Sequence, residues 1–125
     1  MSDAVVLLSG GLDSYTAAKG GVTALTRSLA AGLAPDGIRV NAIAPSFVST
    51  EPQKVWLEDD ASRSTIEQLH LLEIPTPEEI APLVVFLASE ESRRMTGTVI
   101  PLDSGYMAFK AKLDVMGAMQ ASADA

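Results

Sequence analysis

Five apolar residues in a row, Ala4-Val-Val-Leu-Leu8, stop abruptly at Ser9-Gly10-Gly11. A short apolar run without polar alternation predicts a strand buried on both faces, as in a parallel sheet. The period then changes. From Ser14 to about Leu33, Val22, Leu25, Leu29 and Leu33 recur at three- and four-residue steps, which predicts one apolar stripe on a helix. Pro35-Asp36-Gly37 supplies the turn residues that end it. Ile38 to Ala44 reads as a second strand, closed by Pro45.

Residues 46 to 73 are more polar and less periodic. Trp56, Leu57, Ile66, Leu69, Leu71 and Leu72 predict one or two short helices there. Thr76-Pro77-Glu78-Glu79 marks a sharper start: Thr76 caps a helix, Pro77 suits its first position and Glu79 completes a capping box. That helix is expected to run to about Ser89, with a local kink where Pro82 removes a backbone hydrogen bond. Thr98 to Leu102 follows Gly97 as a third strand. Residues 110 to 125 hold Leu113, Val115, Met116 and Met119 and read as a tail that frays. The pattern thus divides the chain into an α/β domain, 1–109, and a tail, 110–125. Strands alternating with helices predict about three parallel strands with flanking helices and right-handed crossovers.

A length of 125 residues allows a single core, and 47% hydrophobic residues are enough to build it. The net charge of −7 disfavours nucleic acid, which needs clustered Lys and Arg. The absence of cysteine removes disulfides and thiolate metal sites. With one histidine, His70, no metal site is expected, and His70 itself is expected on a helix surface. No apolar run reaches the roughly 18 residues that span a bilayer, and with Met1-Ser2-Asp3 at the start no signal peptide is expected. A cytoplasmic protein without membrane contact is the expectation. Glu58-Asp59-Asp60 reads as a solvated acidic turn.

One pair carries chemistry. Tyr15 and Lys19 stand four residues apart at the start of the first helix and so share a face. A phenol with a pKa of about 10 is a poor acid or base at neutral pH. An adjacent ammonium lowers it, which suits proton exchange with a carbonyl or alcohol oxygen during hydride transfer. Spacing alone does not separate this from a surface pair.

The surrounding residues do. Tyr15-Thr-Ala-Ala-Lys19-Gly-Gly-Val-Thr-Ala-Leu-Thr-Arg-Ser-Leu-Ala resembles the active-site helix of the short-chain dehydrogenase/reductase family. Pro35-Asp-Gly-Ile-Arg-Val-Asn-Ala-Ile-Ala-Pro45 resembles that family's next strand, and Pro45-Ser-Phe-Val-Ser-Thr50 its following Pro-Gly-x-x-x-Thr turn. Thr76-Pro-Glu-Glu-Ile-Ala81, Phe86-Leu-Ala-Ser-Glu-Glu91 and Met95-Thr-Gly-Thr-Val-Ile-Pro-Leu-Asp-Ser-Gly-Tyr106 resemble its last helix and strand. The resemblance spans roughly residues 14 to 109, in order, and implies a half Rossmann-like unit. It implies an oxidoreductase using NAD or NADP on a small-molecule substrate. Tyr15 is then the acid/base and Lys19 its partner. Pro45, Val48 and Thr50 lie at the nicotinamide end of the cofactor. The family's serine falls on Ser2 by spacing or on Ser9 by position after a strand, and Ser9 is preferred.

Three departures accompany the resemblance. The family's Gly-rich phosphate turn lies before its Tyr, and only 14 residues precede Tyr15, so weak or no binding of NADH and NADPH is expected. Ser46 and Ser104 stand where that pattern has glycine, and Ser46 is expected to restrict its backbone. Phe47 and Trp56 fall where the family keeps its substrate loop, to contact substrate or to fill core. In the family fold another strand lies beside the one matching Ala4 to Leu8. An unpaired edge there, with the small residues Ala17, Ala24 and Ala31 on the first helix, predicts a homo-oligomer.

Ser9-Gly-Gly-Leu-Asp-Ser14 also resembles the Ser-Gly-Gly-x-Asp-Ser loop of ATP pyrophosphatases. Both a tight strand-to-helix turn and a phosphate site are compatible with it. Three functions follow: an NAD(P)-dependent oxidoreductase, incomplete and weak or inactive alone; a non-catalytic self-associating module; or a nucleotide-phosphate binder using residues 9 to 14.

Overall fold

The computed structural model describes residues 3–8, 15–108, 119 and 121–123. Strand β1 (Ala4–Leu8), helix α1 (Tyr15–Leu33) and strand β2 (Arg39–Pro45) come first. Two short helices follow, α2 (Lys54–Glu58) and α3 (Asp60–Gln68), then α4 (Pro77–Ala88) and strand β3 (Val99–Leu102). The strands form one parallel sheet in the order β1-β2-β3. Val5 pairs with Val40, and Ile43 with Ile100. This is the expected α/β architecture, with β2 as the central strand and buried along its whole length.

Strand alternation assigns the faces. Ile43 packs with Ile80 and Leu87 of α4, joined by Val6, Ile100 and Leu102. Arg39, four positions earlier on the same face, reaches the end of α4 through its guanidinium. Val40, Ala42 and Ala44 are left for the opposite face, where α1 packs on β2. The strands step in one direction while α1 and α4 cover opposite faces. The two crossovers therefore have opposite hands, and one of them departs from the right-handed expectation.

Helix α1 also corrects the predicted stripe. Leu25 is 49% exposed, and Val22, Leu29 and Leu33 are only half-buried. Among the described side chains of α1, the buried ones are Thr26 and Ala30. Small side chains let the helix lie close to the sheet, and Ala30 comes near Gly97. The Thr26 hydroxyl donates to the Val22 carbonyl at 2.6 Å, which satisfies it inside the helix. Helix α4 begins at the predicted signal. Glu79 Oε1 accepts from the Thr76 amide at 3.1 Å and from its hydroxyl at 3.0 Å. The helix continues through Pro82, which lies on its exposed side. Among the described residues, no helix is long and apolar enough to cross a membrane.

Candidate active site

Parallel strands deliver all their C-terminal ends to one edge, the edge at which open α/β sheets bind ligands. Pro45 ends β2 there, and residues 46 to 50 turn away from it. Leu102 ends β3, and Asp103 to Tyr106 turn beside it. Helix α1 opens at Tyr15, with six residues between it and the end of β1, and Lys19 stands one turn further along. The side chains of Tyr15 and Lys19 lie outside the described residues, as do Ser2 and Ser9 and the rest of the loop 9–14.

The turn after β2 is held by its own backbone and by the segment before α4. The Ser49 amide donates to the Pro75 carbonyl at 2.9 Å. The Thr50 amide donates to the Val48 carbonyl at 2.8 Å, and the Thr50 carbonyl accepts from the amides of Gln53 and Lys54, both at 3.0 Å. Thr50 is half-buried, Pro45 is buried, and the Val48 side chain packs into the core around Ile43. Phe47 is buried. Trp56 is 58% exposed and, with Ala61, Ser62, Thr65 and Ile66, lines an open groove of about 350 Å³ between α2 and α3.

The acidic run caps a helix. Asp59 Oδ2 accepts from the Ser62 amide at 2.9 Å at the start of α3. The side-chain and backbone hydrogen bonds from Ser62 hold this carboxyl below the usual carboxylate range. Lys54 pairs with Glu51 on the surface, and that hydrogen bond and charge raise its ammonium pKa.

His70 overturns the expectation of a surface histidine. It follows α3 and is only 6% exposed. Nδ1 lies 2.7 Å from the Ile66 carbonyl and Nε2 2.8 Å from Ser46 Oγ. Burial of the ring is tolerated because both nitrogens have partners. The Tyr106 ring packs against it, with centroids 5.5 Å apart. Ser46 Oγ also lies 3.2 Å from the Asp103 carbonyl. Ser46 does not adopt a positive φ, so the expected restriction there does not arise; the left-handed residue is Ser104, with φ of 51°. The Ser104 carbonyl accepts from the amides of Leu71 and Leu72 at 2.8 and 3.1 Å, and its hydroxyl donates to the Glu73 carbonyl at 2.5 Å. No periodicity marks His70, because its partners come from 24 and 4 residues away and are joined only by folding. Among the described residues, no group of three or more His, Asp or Glu is arranged to hold a metal.

A parallel sheet with a Tyr-x-x-x-Lys helix leaving its ligand edge defines a short-chain dehydrogenase/reductase type of chain. The family model described as Enoyl-(Acyl carrier protein) reductase matches residues 2–107, and the chain belongs to this short-chain dehydrogenase/reductase family. It is 41% identical over 95 residues to the 3-oxoacyl-(acyl-carrier-protein) reductase FabG of Thermotoga maritima. It is 40% identical over 95 residues to the cis-4-hydroxycyclohexanecarboxylate dehydrogenase of Sinomonas cyclohexanicum. Each match covers 76% of this chain and 38% of the relative, so the chain spans well under half the length of these curated relatives. The fold matches that of a proposed 2-deoxy-D-gluconate 3-dehydrogenase from Agrobacterium tumefaciens, solved with NADP bound. The TM-score is 0.75 at 34% identity, over 86% of this chain and 47% of that one.

Proposed function

We propose that this chain carries the proton-transfer part of an NAD(P)-dependent oxidoreductase acting on a small-molecule carbonyl or alcohol. The observation that carries the reading is the Tyr15-Lys19 turn of α1, which begins at the same sheet edge as the Pro45–Thr50 turn. In this reading Tyr15 gives or takes the proton at the substrate oxygen, and Lys19 lowers the pKa of the phenol. Ser9 orients that oxygen. Pro45, Val48 and Thr50 border the nicotinamide. The turn suits that role, because it leaves the central strand at the ligand edge and Thr50 remains partly open to solvent. A bound nicotinamide supplies or accepts the hydride. The reductase activity named for the Thermotoga relative and the NADP held by the Agrobacterium protein support the same chemistry.

Self-association without catalysis is the second reading, favoured by the edge position of β1 and by the exposure of Leu25, Ala24 and Ala31 on α1. One experiment separates the two. Oxidation of NADPH and NADH is followed spectroscopically with simple ketones as acceptors, for the chain and its Tyr15→Phe variant. Turnover that disappears in the variant supports the oxidoreductase. No turnover in either, from a chain that self-associates, overturns it in favour of the second reading.

A further inference from the structure

His70 is a buried ring that the proposed chemistry does not use, and it joins three elements at the ligand edge. A carbonyl oxygen only accepts, so the nitrogen facing Ile66 must carry hydrogen. Nδ1–H therefore donates to the Ile66 carbonyl at 2.7 Å. With hydrogen on Nδ1, Nε2 offers its lone pair to the Ser46 hydroxyl at 2.8 Å; the single hydroxyl hydrogen then goes to this shorter contact and not to the Asp103 carbonyl at 3.2 Å. One ring thus ties the last turn of α3 to the exit of β2, and its packing against Tyr106 adds the exit of β3. Lysine could only donate, so the pair of contacts calls for a group with a donor on one side and an acceptor on the other.

The neighbouring bonds run in the same sense. The connection after α3 is tied to the β2 turn by Ser49–Pro75 and to the β3 turn by the bonds of Ser104 with Leu71, Leu72 and Glu73. The carboxylate of Asp103 braces that second turn through the amides of Gly105 and Met107, at 3.0 and 3.2 Å. Ile66, whose carbonyl His70 holds, also lines the groove beside Trp56.

We infer that His70 is a positioning residue: through Ser46 it fixes α3, and with it the groove lined by Trp56 and Ile66, above the carboxyl ends of β2 and β3. Its bearing on substrate placement rests on the oxidoreductase reading. The clasp itself does not, and its test uses neither cofactor nor substrate, so either can fail alone.

His70 is the only histidine and Trp56 the only tryptophan, so both report without ambiguity. Ring-nitrogen NMR of the full chain is recorded at pH 8.5. The expected spectrum has hydrogen on Nδ1. Hydrogen on Nε2 overturns the inference without any mutation. In Ser46→Ala and in His70→Asn, exchange of the Ser49 and Leu71 amides should rise about 10-fold, while the Ala42 and Gly97 amides change little. The fluorescence anisotropy of Trp56 should fall in the same variants. A uniform rise in exchange, or an unchanged anisotropy, assigns His70 to general packing and overturns the positioning role.

Discussion

The Arg39 guanidinium donates from Nη2 to the Leu87 carbonyl at 2.8 Å, so a buried cation on the central strand caps the end of α4. The same group donates to the carbonyls of Ser89, Ser92 and Met95 at 3.1 to 3.2 Å. Carbonyls at a helix C-terminus lack intrahelical donors, and a cation there also meets the negative end of the helix dipole. Each of these carbonyls keeps another donor, from Ser92, Met95 or Asn41, so Arg39→Met should remove the charge-assisted bonds without orphaning an acceptor and cost about 1.5–3 kcal/mol. Urea unfolding measures this. Arg39→Lys should recover only part of the loss, because one ammonium cannot span the set. A loss below about 0.5 kcal/mol would mean water replaces the guanidinium.

Gly105 tests the β3 turn. Its φ is +83°, and an added Cβ would fall 2.8 to 2.9 Å from Leu71 Cδ1, Cβ and Cγ. Gly105→Ala should therefore combine backbone strain with a clash that one rotamer change cannot relieve. A destabilisation of about 1–3 kcal/mol is expected in thermal unfolding. A neutral result would show that the turn shifts freely away from Leu71.

Asp59 gives a pH dependence with a definite sign. Its carboxyl is held below its ordinary value in the folded chain by Ser62. The stability it contributes is present above the unfolded pKa of about 3.9 and is lost as pH falls through the lower folded value. Asp59→Ala should lower the melting temperature by a few degrees at pH 7. The difference should vanish at a pH below the folded value. A gap that persists in acid would exclude the carboxylate as its source.

For catalysis, Tyr15→Phe should reduce any hydride-transfer rate by about 10²–10⁴-fold while leaving the circular dichroism spectrum unchanged. Lys19→Met should shift the pH profile of the remaining activity upward, since the phenol loses the charge that lowers its pKa. A profile that does not move would remove Lys19 from the mechanism.

Self-association is read by light scattering at micromolar concentration. Among the described residues strand β1 is a sheet edge, and Ala24, Leu25 and Ala31 lie exposed on α1. The chain should be a dimer or larger, and Leu25→Glu should weaken the assembly if α1 forms the contact. A folded monomer at these concentrations would overturn the proposal.

Local signals made much of this molecule legible. The unbroken run Ala4–Leu8, the Pro-Asp-Gly turn and the Thr76-Pro77-Glu78-Glu79 start all act within a few residues, and each element stands where its signal predicted. Tyr15 and Lys19 could be paired for the same reason, since one helical turn fixes their spacing. The pair proposed for proton transfer was therefore visible in the sequence.

The sequence by itself determined the order of strands and helices, the parallel α/β class and the residues gathered at the ends of the strands, because those follow from short-range periodicity and chain direction. Only the tertiary structure decided which face of α1 is buried. The sheet accepts Thr26 and Ala30 there for their small size, and Leu25 is left to solvent. It also decided that α1 and α4 cover opposite faces of the sheet. It turned Arg39 into a helix cap and His70 into a buried bridge, since the carbonyls around Arg39 and the Ser46 hydroxyl and Tyr106 ring around His70 are distant in the chain. Hydrogen bonds of that kind depend on where folding brings each acceptor, and no local spacing encodes it.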